Sequence, residues 1–416
     1  MIKNAAEVLT ISGHRPKKGK EMNDLGIIRD GAVLVVDGII KEVGKSDLLS
    51  SKVNESAFSV IDAGGKVVMP GFVDPHTHFV FGGYRAEEYS WRLKGESYLE
   101  IMEKGGGILK TVQDTRKADP QELIVSGKKR LDRMLGFGVT TVEGKSGYGL
   151  DLETEIKQLE VLKSLDAQHP VDIRSTFLGA HAVPMDFRGK EDPFLDYLIS
   201  EVMPEVRHRN LADFCDIFCE AKVFSIQQSR RYLNEAKKLG FGIKIHADEI
   251  VPLGGAELAA ELGAVSADHL LRASHEGIKA MAEKNVIATL LPGTAFSLKA
   301  AYARGRQMIN MGCAVALATD FNPGSCFTQS IPLILALATI QTGLTTEEAI
   351  TALTLNSAAA IGCEDRIGSL DPGKQADILI LEFPSYHFLS YYLGVNIVEK
   401  VIKKGNLVID NTKGKN

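Results

Sequence analysis

The pattern of apolar and polar residues changes rhythm twice along the chain. Through residue 65 the apolar residues come in short β-branched runs, "AAEVLTIS", "GAVLVVDGIIKEVG" and the start of "SVIDAGGKVVM", broken by Gly, Asp and Asn. Such runs read as strands, and the Asp-Gly of "VDGII" between two of them signals a hairpin. From residue 66 short apolar runs alternate with longer segments of helical period. Eight runs stand out, at 66–78, 138–149, 171–181, 214–222, 242–249, 263–270, 285–293 and 314–324. The stretches between them, such as 152–168, 227–240 and 274–285, carry the i, i+3, i+4 spacing of helices packed on a sheet. From about 365 short strands return, in "IGSLDPGKQADILILE" and "NIVEKVIKKGNLVID".

Alternating strands and helices predict an α/β fold with a parallel sheet, and eight repeats predict a (β/α)8 TIM-type barrel over 66–364. Residues 1–65 and 365–416 then form a small β-sandwich domain from both chain termini. A doubly wound open sheet is the competing architecture. The polar residues decide for the barrel: His76, His78, His181, Glu249, His269 and Asp320 all fall at or just past the C-terminal ends of apolar runs, the face on which such barrels carry their chemistry.

His76 and His78 stand two apart, so in a strand both imidazoles face one space. His246 lies near the end of the fifth run and Asp320 at the end of the eighth. In a closed barrel the first and eighth strands are neighbours and the fifth and sixth lie across the mouth. His76, His78, His246 and Asp320 therefore make a three-nitrogen, one-oxygen ligand set with room for water. A divalent ion held that way brings the pKa of its water towards neutrality. Glu249, three residues after His246, and His269, ending the sixth run, are placed to hold or shuttle protons. A lone histidine at a strand end is more often hydrogen-bonded structure, and a lone Asp there a turn residue. It is their gathering at one end of several strands that points to a metal.

Composition adds limits. The 416 residues are 44% hydrophobic, ample for a large core, and the net charge of −5 excludes a nucleic-acid or anionic-membrane partner. The lysine-rich "HRPKKGK" (14–20) is short and interrupted, and reads as a solvated loop. Five cysteines in no disulfide-like spacing fit a reducing, cytoplasmic location. No N-terminal signal segment is visible and no apolar run is long enough to span a bilayer. The most apolar stretch, 330–340, reads as a buried helix.

The segments "PGFVDPHTH", "HADE", "DHL", "TDFNPG" and "GSLDPGKQADILIL" resemble the amidohydrolase superfamily of metal-dependent hydrolases, over nearly the whole chain. "HTHFVFGGYRAEEYSWR", "GGGILKTV", "TTVEGKSGYGL", "TFLGAHAVP" and "TDFNPGSC" resemble one of its subfamilies, which acts in histidine degradation by hydrolysing a cyclic amide C–N bond. The resemblance implies 4-imidazolone-5-propanoate as the small-molecule substrate and N-formimidoyl-L-glutamate as the product. Within that reaction His269 is expected to assist deprotonation of water or steady the oxyanion, Glu249 to hold a ring nitrogen, and Asp320 to pass a proton to the leaving nitrogen.

The substrate's carboxylate calls for a guanidinium or several donors. Arg85 is the first choice, with Tyr148 and His181 lining the mouth. Asn322, Gly324 and Ser325 are expected to offer side-chain and backbone donors. The resemblance further implies one divalent or trivalent ion per subunit, zinc or iron, and a homodimer. A two-metal variant would recruit Glu220 or Lys222 at the end of the fourth run, and His269 with it. The His-x-x-Glu pattern favours one metal. The nearest rival is a deaminase of the same superfamily acting on cytosine, guanine or a related ring. A non-catalytic scaffold on this fold is the rival from another class, and the complete ligand set argues against it.

Overall fold

The computed structural model describes residues 1–54, 59–96, 100–101 and 104–412. Parts of the expected terminal domain, 55–58 and 413–416, lie outside the described residues. The terminal strands are β1 (Ile2–Leu9), β2 (Ile27–Val36), β3 (Ile39–Lys45), β4 (Ile61–Asp62) and β5 (Val67–Pro70). The barrel strands follow: β6 (Phe72–Asp74), β7 (Val139–Lys145), β8 (Asp172–Ala180), β9 (Phe214–Cys219), β10 (Gly242–Ala247), β11 (Ser266–His269), β12 (Ile287–Leu290) and β13 (Val315–Leu317). The chain then returns to the terminal sheet with β14 (Ile378–Leu381), β15 (Val398–Lys403) and β16 (Asn406–Asp410).

β6 to β13 pair in sequence order, every neighbour parallel. The ring closes just beyond the short end strands. Thr77 bridges Phe321 in parallel, His78 N–H donates to Phe321 O at 3.0 Å, and Asp320 N–H donates to His76 O at 3.0 Å. Below this seam the Asp74 carboxylate accepts from the Thr319 N–H (3.0 Å) and hydroxyl (2.6 Å). Each barrel strand falls inside its expected run. The helices Leu152–Gln168, Ile226–Lys238 and His275–Lys284 fill the expected helical stretches, started by Asp151, Ser225 and Ser274 side chains that accept backbone N–H groups. The apolar 330–340 stretch is the helix Ile331–Gln341, largely buried.

The run 66–78 is not one strand. Val67–Pro70 pairs with β1 and β14 in the terminal sheet, and only Phe72–Asp74 enters the barrel. The terminal sheet thus reaches five residues past the expected boundary at 65. Its strands form one connected mixed sheet in the order β16-β15-β14-β5-β1-β2-β3, with β4 beside β1. The sheet curls so that its two arms meet: Ala376 N–H donates to Gly38 O at 2.8 Å, and a Cβ on Gly38 would lie 2.9 Å from Lys404 O. Ile2, Val8, Val33, Ile40, Val68, Ile378 and Ile402 fill the core so enclosed. Alternate residues, Leu9, Val67, Met69, Leu379 and Val401, join the barrel core. Two-residue alternation in the strands therefore glues the terminal sheet to the barrel.

The "HRPKKGK" stretch is exposed at His14, Arg15 and Lys20, as expected of a solvated loop, but is anchored at one point. Lys17 is 8% exposed and its N–H donates to Asn356 Oδ1 at 2.8 Å.

Gly138 joins the two units. It sits at φ +88° between the helix Pro120–Gly136 and β7, its carbonyl accepts from Phe72 N–H, and a Cβ there would lie 2.9 Å from Leu379 of β14. Gly138→Ala meets both the left-handed backbone and that contact. A loss of about 1–3 kcal/mol is expected, read as a lower urea midpoint with an unchanged slope.

Candidate active site

Inward-facing positions of the parallel strands supply the floor of the site. His76 and His78 follow β6 on one face, and His246 lies on β10 two residues after Lys244. All three imidazoles are buried. Burial holds each of them well below its ordinary pKa, reinforced by Lys145 for His76, by His181 for His78 and by His269 for His246. Neutral imidazole is the form that binds a metal. His76 Nε2 and His78 Nε2 lie 3.3 Å apart, and Asp320 Oδ1 lies 3.5 Å and 3.6 Å from them. Ligands at about 2.0–2.1 Å around a tetrahedral ion stand about 3.3–3.4 Å from one another, so this spacing fits an ion. The ring nitrogens of His76, His78 and His246 that face one another lie within 4.8 Å. His246 Nε2 is buried with no hydrogen-bond partner among the described residues. An unpaired buried nitrogen is costly, and a metal satisfies it.

The partners behind the ligands are charged and buried. His76 Nδ1 lies 2.6 Å from Asp268 Oδ2, which fixes Nε2 as the free lone pair. Asp216 Oδ2 lies 3.0 Å from His246 Nδ1, out of line for a hydrogen bond. Lys145 reaches Asp216 at 2.8 Å, Glu143 at 3.0 Å and Asp268 at 3.6 Å. Lys244 reaches Glu143 at 2.9 Å and donates to Pro75 O at 3.0 Å. These five side chains are fully buried. The three carboxylates push the Lys145 ammonium pKa up against the opposing effect of burial, the largest single influence on it. Sequence reasoning missed all five. The available signal was their two-residue spacing, Glu143 with Lys145 and Lys244 with His246, inside otherwise apolar strands.

Further titratable side chains stand around these imidazoles. His269 lies at φ +76°, and its ring centroid is 5.5 Å from that of His76 and 5.2 Å from that of His246. A regular strand would turn it away from inward-facing Asp268, and the left-handed backbone brings it back. Glu249 Oε1 lies 3.7 Å from His269 Nδ1. Burial, then Glu220, push the Glu249 carboxyl up to about 7. Burial also pushes Asp320 up to about 7, against the pull of His269, while Thr294 donates to its Oδ2 at 2.5 Å. Asp248 shapes the loop carrying Glu249: its carboxylate accepts from the N–H groups of Leu253, Gly254, Gly255 and Ala256.

The expected substrate-binding residues divide into two groups. His181 donates Nδ1–H to Gly147 O at 3.1 Å, leaving Nε2 free, and its ring stacks on His78 with centroids 5.0 Å apart. Tyr148 is buried, its ring centroid 5.8 Å from that of His78. Arg85 pairs with Glu88 through Nε at 2.7 Å and through Nη2, and its Nη1 reaches Gly324, where a Cβ would collide with it. The donors expected from Asn322, Gly324 and Ser325 are engaged with one another. Asn322 Nδ2 donates to Asp320 O and Ser325 Oγ, and Asn322 Oδ1 accepts from the N–H groups of Gly324 and Ser325. These residues build the loop and clear a space at Gly324. The proposed bridging groups also lie elsewhere: Lys222 is exposed in a turn, and Glu220 accepts from the N–H groups of Ile250 and Ala221.

A family model described as the amidohydrolase family matches residues 67–408. The chain is 61% identical over 408 residues to an imidazolonepropionase of Clostridium tetani, covering 98% of this chain and 97% of the relative. It is 55% identical over 407 residues to an imidazolonepropionase of Parabacteroides distasonis, covering 98% of each. A crystal structure of a Xanthomonas campestris adenosine deaminase with bound zinc is similar in fold, with a TM-score of 0.71 at 19% identity over 99% of this chain and 92% of that one.

Asp268→Asn keeps the shape but removes the charge behind His76. Metal affinity is expected to fall about 10–100-fold. Competition with a chromophoric chelator measures it, with circular dichroism as the check on folding.

Proposed function

The chain belongs to the amidohydrolase family, and we propose that within it the chain acts as an imidazolonepropionase. It is a hydrolase of cyclic amide C–N bonds, opening 4-imidazolone-5-propanoate with water to N-formimidoyl-L-glutamate. The observation that carries the reading is the convergence of three neutral imidazoles and Asp320 on one point, in a chain that matches this family along nearly its whole length. A divalent ion held by His76, His78, His246 and Asp320 would supply Lewis acidity, making water a nucleophile near neutral pH and polarising the ring carbonyl.

The chain's own residues then divide the work. His269 takes up a proton of the attacking water or steadies the negative charge growing on the carbonyl oxygen. Water oxygen joins the carbonyl carbon, the ring C–N bond breaks, and its electron pair goes to nitrogen. Asp320 accepts the other proton of the attacking water and delivers it to that nitrogen, its Oδ2 aligned by the Thr294 hydroxyl. Glu249, raised to about 7, hydrogen-bonds a ring nitrogen. Arg85, Tyr148 and His181 hold the substrate from the rim, with the loop of Asn322, Gly324 and Ser325 shaping the space beside them.

We take the ion to be zinc or iron, one per subunit. The engagement of Glu220 with backbone N–H groups and the exposure of Lys222 support a single ion, because β9 then offers no bridging group. A homodimer is the proposed assembly, on the family resemblance. The cytoplasm is the proposed compartment, supported by five free, buried cysteines. Among the described residues no helix is long and apolar enough to cross a membrane.

The test mixes metal-replete protein with freshly generated 4-imidazolone-5-propanoate and follows loss of the ring's ultraviolet absorbance, with cytosine and guanine in parallel. Rapid loss is expected, abolished by a chelator and reduced to the uncatalysed rate by His246→Ala. Ammonia released from a base with no ring opening overturns the reading.

A further inference from the structure

The substrate assigned above carries one carboxylate beyond the reacting ring, and the rim must match its charge. Arg85 is the obvious partner, but its charge is already answered. Its Nε and Nη2 are both held by Glu88, and only Nη1 is left to face Gly324. Glu88 is itself buried and also accepts from Gly107 N–H at 2.8 Å. The pair is a fixed, neutral unit.

A second guanidinium stands at the same glycine. Arg92 lies at the other end of the helix Ala86–Leu93, whose N-cap is Arg85. Its Nη1 donates to Gly324 O at 3.4 Å and its Nη2 to Ser297 Oγ at 3.3 Å. Its guanidinium lies 5.1 Å from the Tyr89 ring centroid. Arg92 Nε is buried with no hydrogen-bond partner among the described residues. These contacts are to neutral groups, and the neighbouring Glu88 carboxylate is taken by Arg85. Among the described residues, two guanidiniums against one carboxylate leave one positive charge beside Gly324.

We propose that Arg92 supplies the positive charge that balances the substrate's propionate, while Arg85, oriented by Glu88, supplies a directed donor. Arg92 is in this assignment a specificity-determining residue, removed from the reacting bond. Gly324 meets both guanidiniums, Arg92 at its carbonyl oxygen and Arg85 where a side chain would stand, which gives a reason for glycine there: a Cβ would collide with Arg85 Nη1.

The inference rests on the ring-opening reading, and the experiment separates the two. Wild type, Arg92→Gln and Arg92→Lys are assayed with 4-imidazolone-5-propanoate and with the same ring bearing an uncharged propanamide. Metal content and circular dichroism are measured on each. The expected result for Arg92→Gln is a KM raised about ten- to a hundredfold for the carboxylate substrate with kcat little changed. Its KM for the propanamide stays at the wild-type value, and Arg92→Lys recovers much of the loss because it keeps the charge. An unchanged KM for the carboxylate in Arg92→Gln overturns the proposal. So does an equal loss with both substrates or a fall in metal content, either of which marks Arg92 as a structural contact only. A wild-type protein that turns over neither substrate overturns the ring-opening reading itself.

Discussion

The site depends on the ionic layer buried beneath it. Lys145 and Lys244 face Glu143, Asp216 and Asp268 at zero exposure inside the barrel. Taking such groups out of water costs several kcal/mol per ion, and close pairing offsets that only when the geometry is good. The layer therefore contributes less to stability than to direction. The ammonium groups hold all three carboxylates, and two of these also face a histidine: Asp268 at His76, and Asp216 at His246. Charge is also matched across the layer. Two ammonium groups against three carboxylates leave one negative charge, which a divalent cation between the neutral imidazoles would offset.

The second constraint is closure. β6 and β13 are only three residues long, too short to seal a barrel by their own ladder. The seam is finished by the segments that carry ligands, through His78 N–H to Phe321 O and Asp320 N–H to His76 O. Asp74 pins Thr319 just below. Two histidines and the aspartate are thereby fixed by the hydrogen bonds that make the barrel a ring. The geometry of the candidate ligands and barrel closure are one structural event, and a change that opens the seam also disperses these side chains.

Much of this was legible in the sequence because it follows a two-residue period. His76-x-His78 announced a shared face, and the clustering of His246, His269 and Asp320 at run ends announced a common mouth. The unread parts have physical reasons. The run 66–78 reads as one strand because its apolar residues are nearly continuous, although Pro70-Gly71 is a local break signal at the point where the chain leaves one sheet for the other. Glu143, Lys145, Asp216, Lys244 and Asp268 do not stand out in the sequence because most of the partners that bury their charges lie on other strands, far along the chain. The donors of Asn322, Gly324 and Ser325 were visible as groups, but their direction is set by a local turn that consumes them. His269 was placed at the mouth by its position in the run, yet the left-handed backbone that aims it there has no sequence mark of its own.

Strain and support divide the site into a floor and a rim. Asp248, His269, Leu270 and Asp320 all have positive φ, a conformation that costs about 1–3 kcal/mol where side chains crowd it. Each sits at a strand end where the chain must turn sharply while still presenting a side chain inward. The compensation is visible at Asp248, whose carboxylate gathers four N–H groups of the following loop, and at Asp320, held by Thr294. The floor is thus rigid and highly charged, suited to chemistry that requires fixed distances. The rim is different: Arg85, Arg92 and the Gly324 loop meet through partly exposed groups and a missing side chain. The rim groups stand apart from the buried ionic layer, so a change of side chain there leaves the charged pairs of the floor in place.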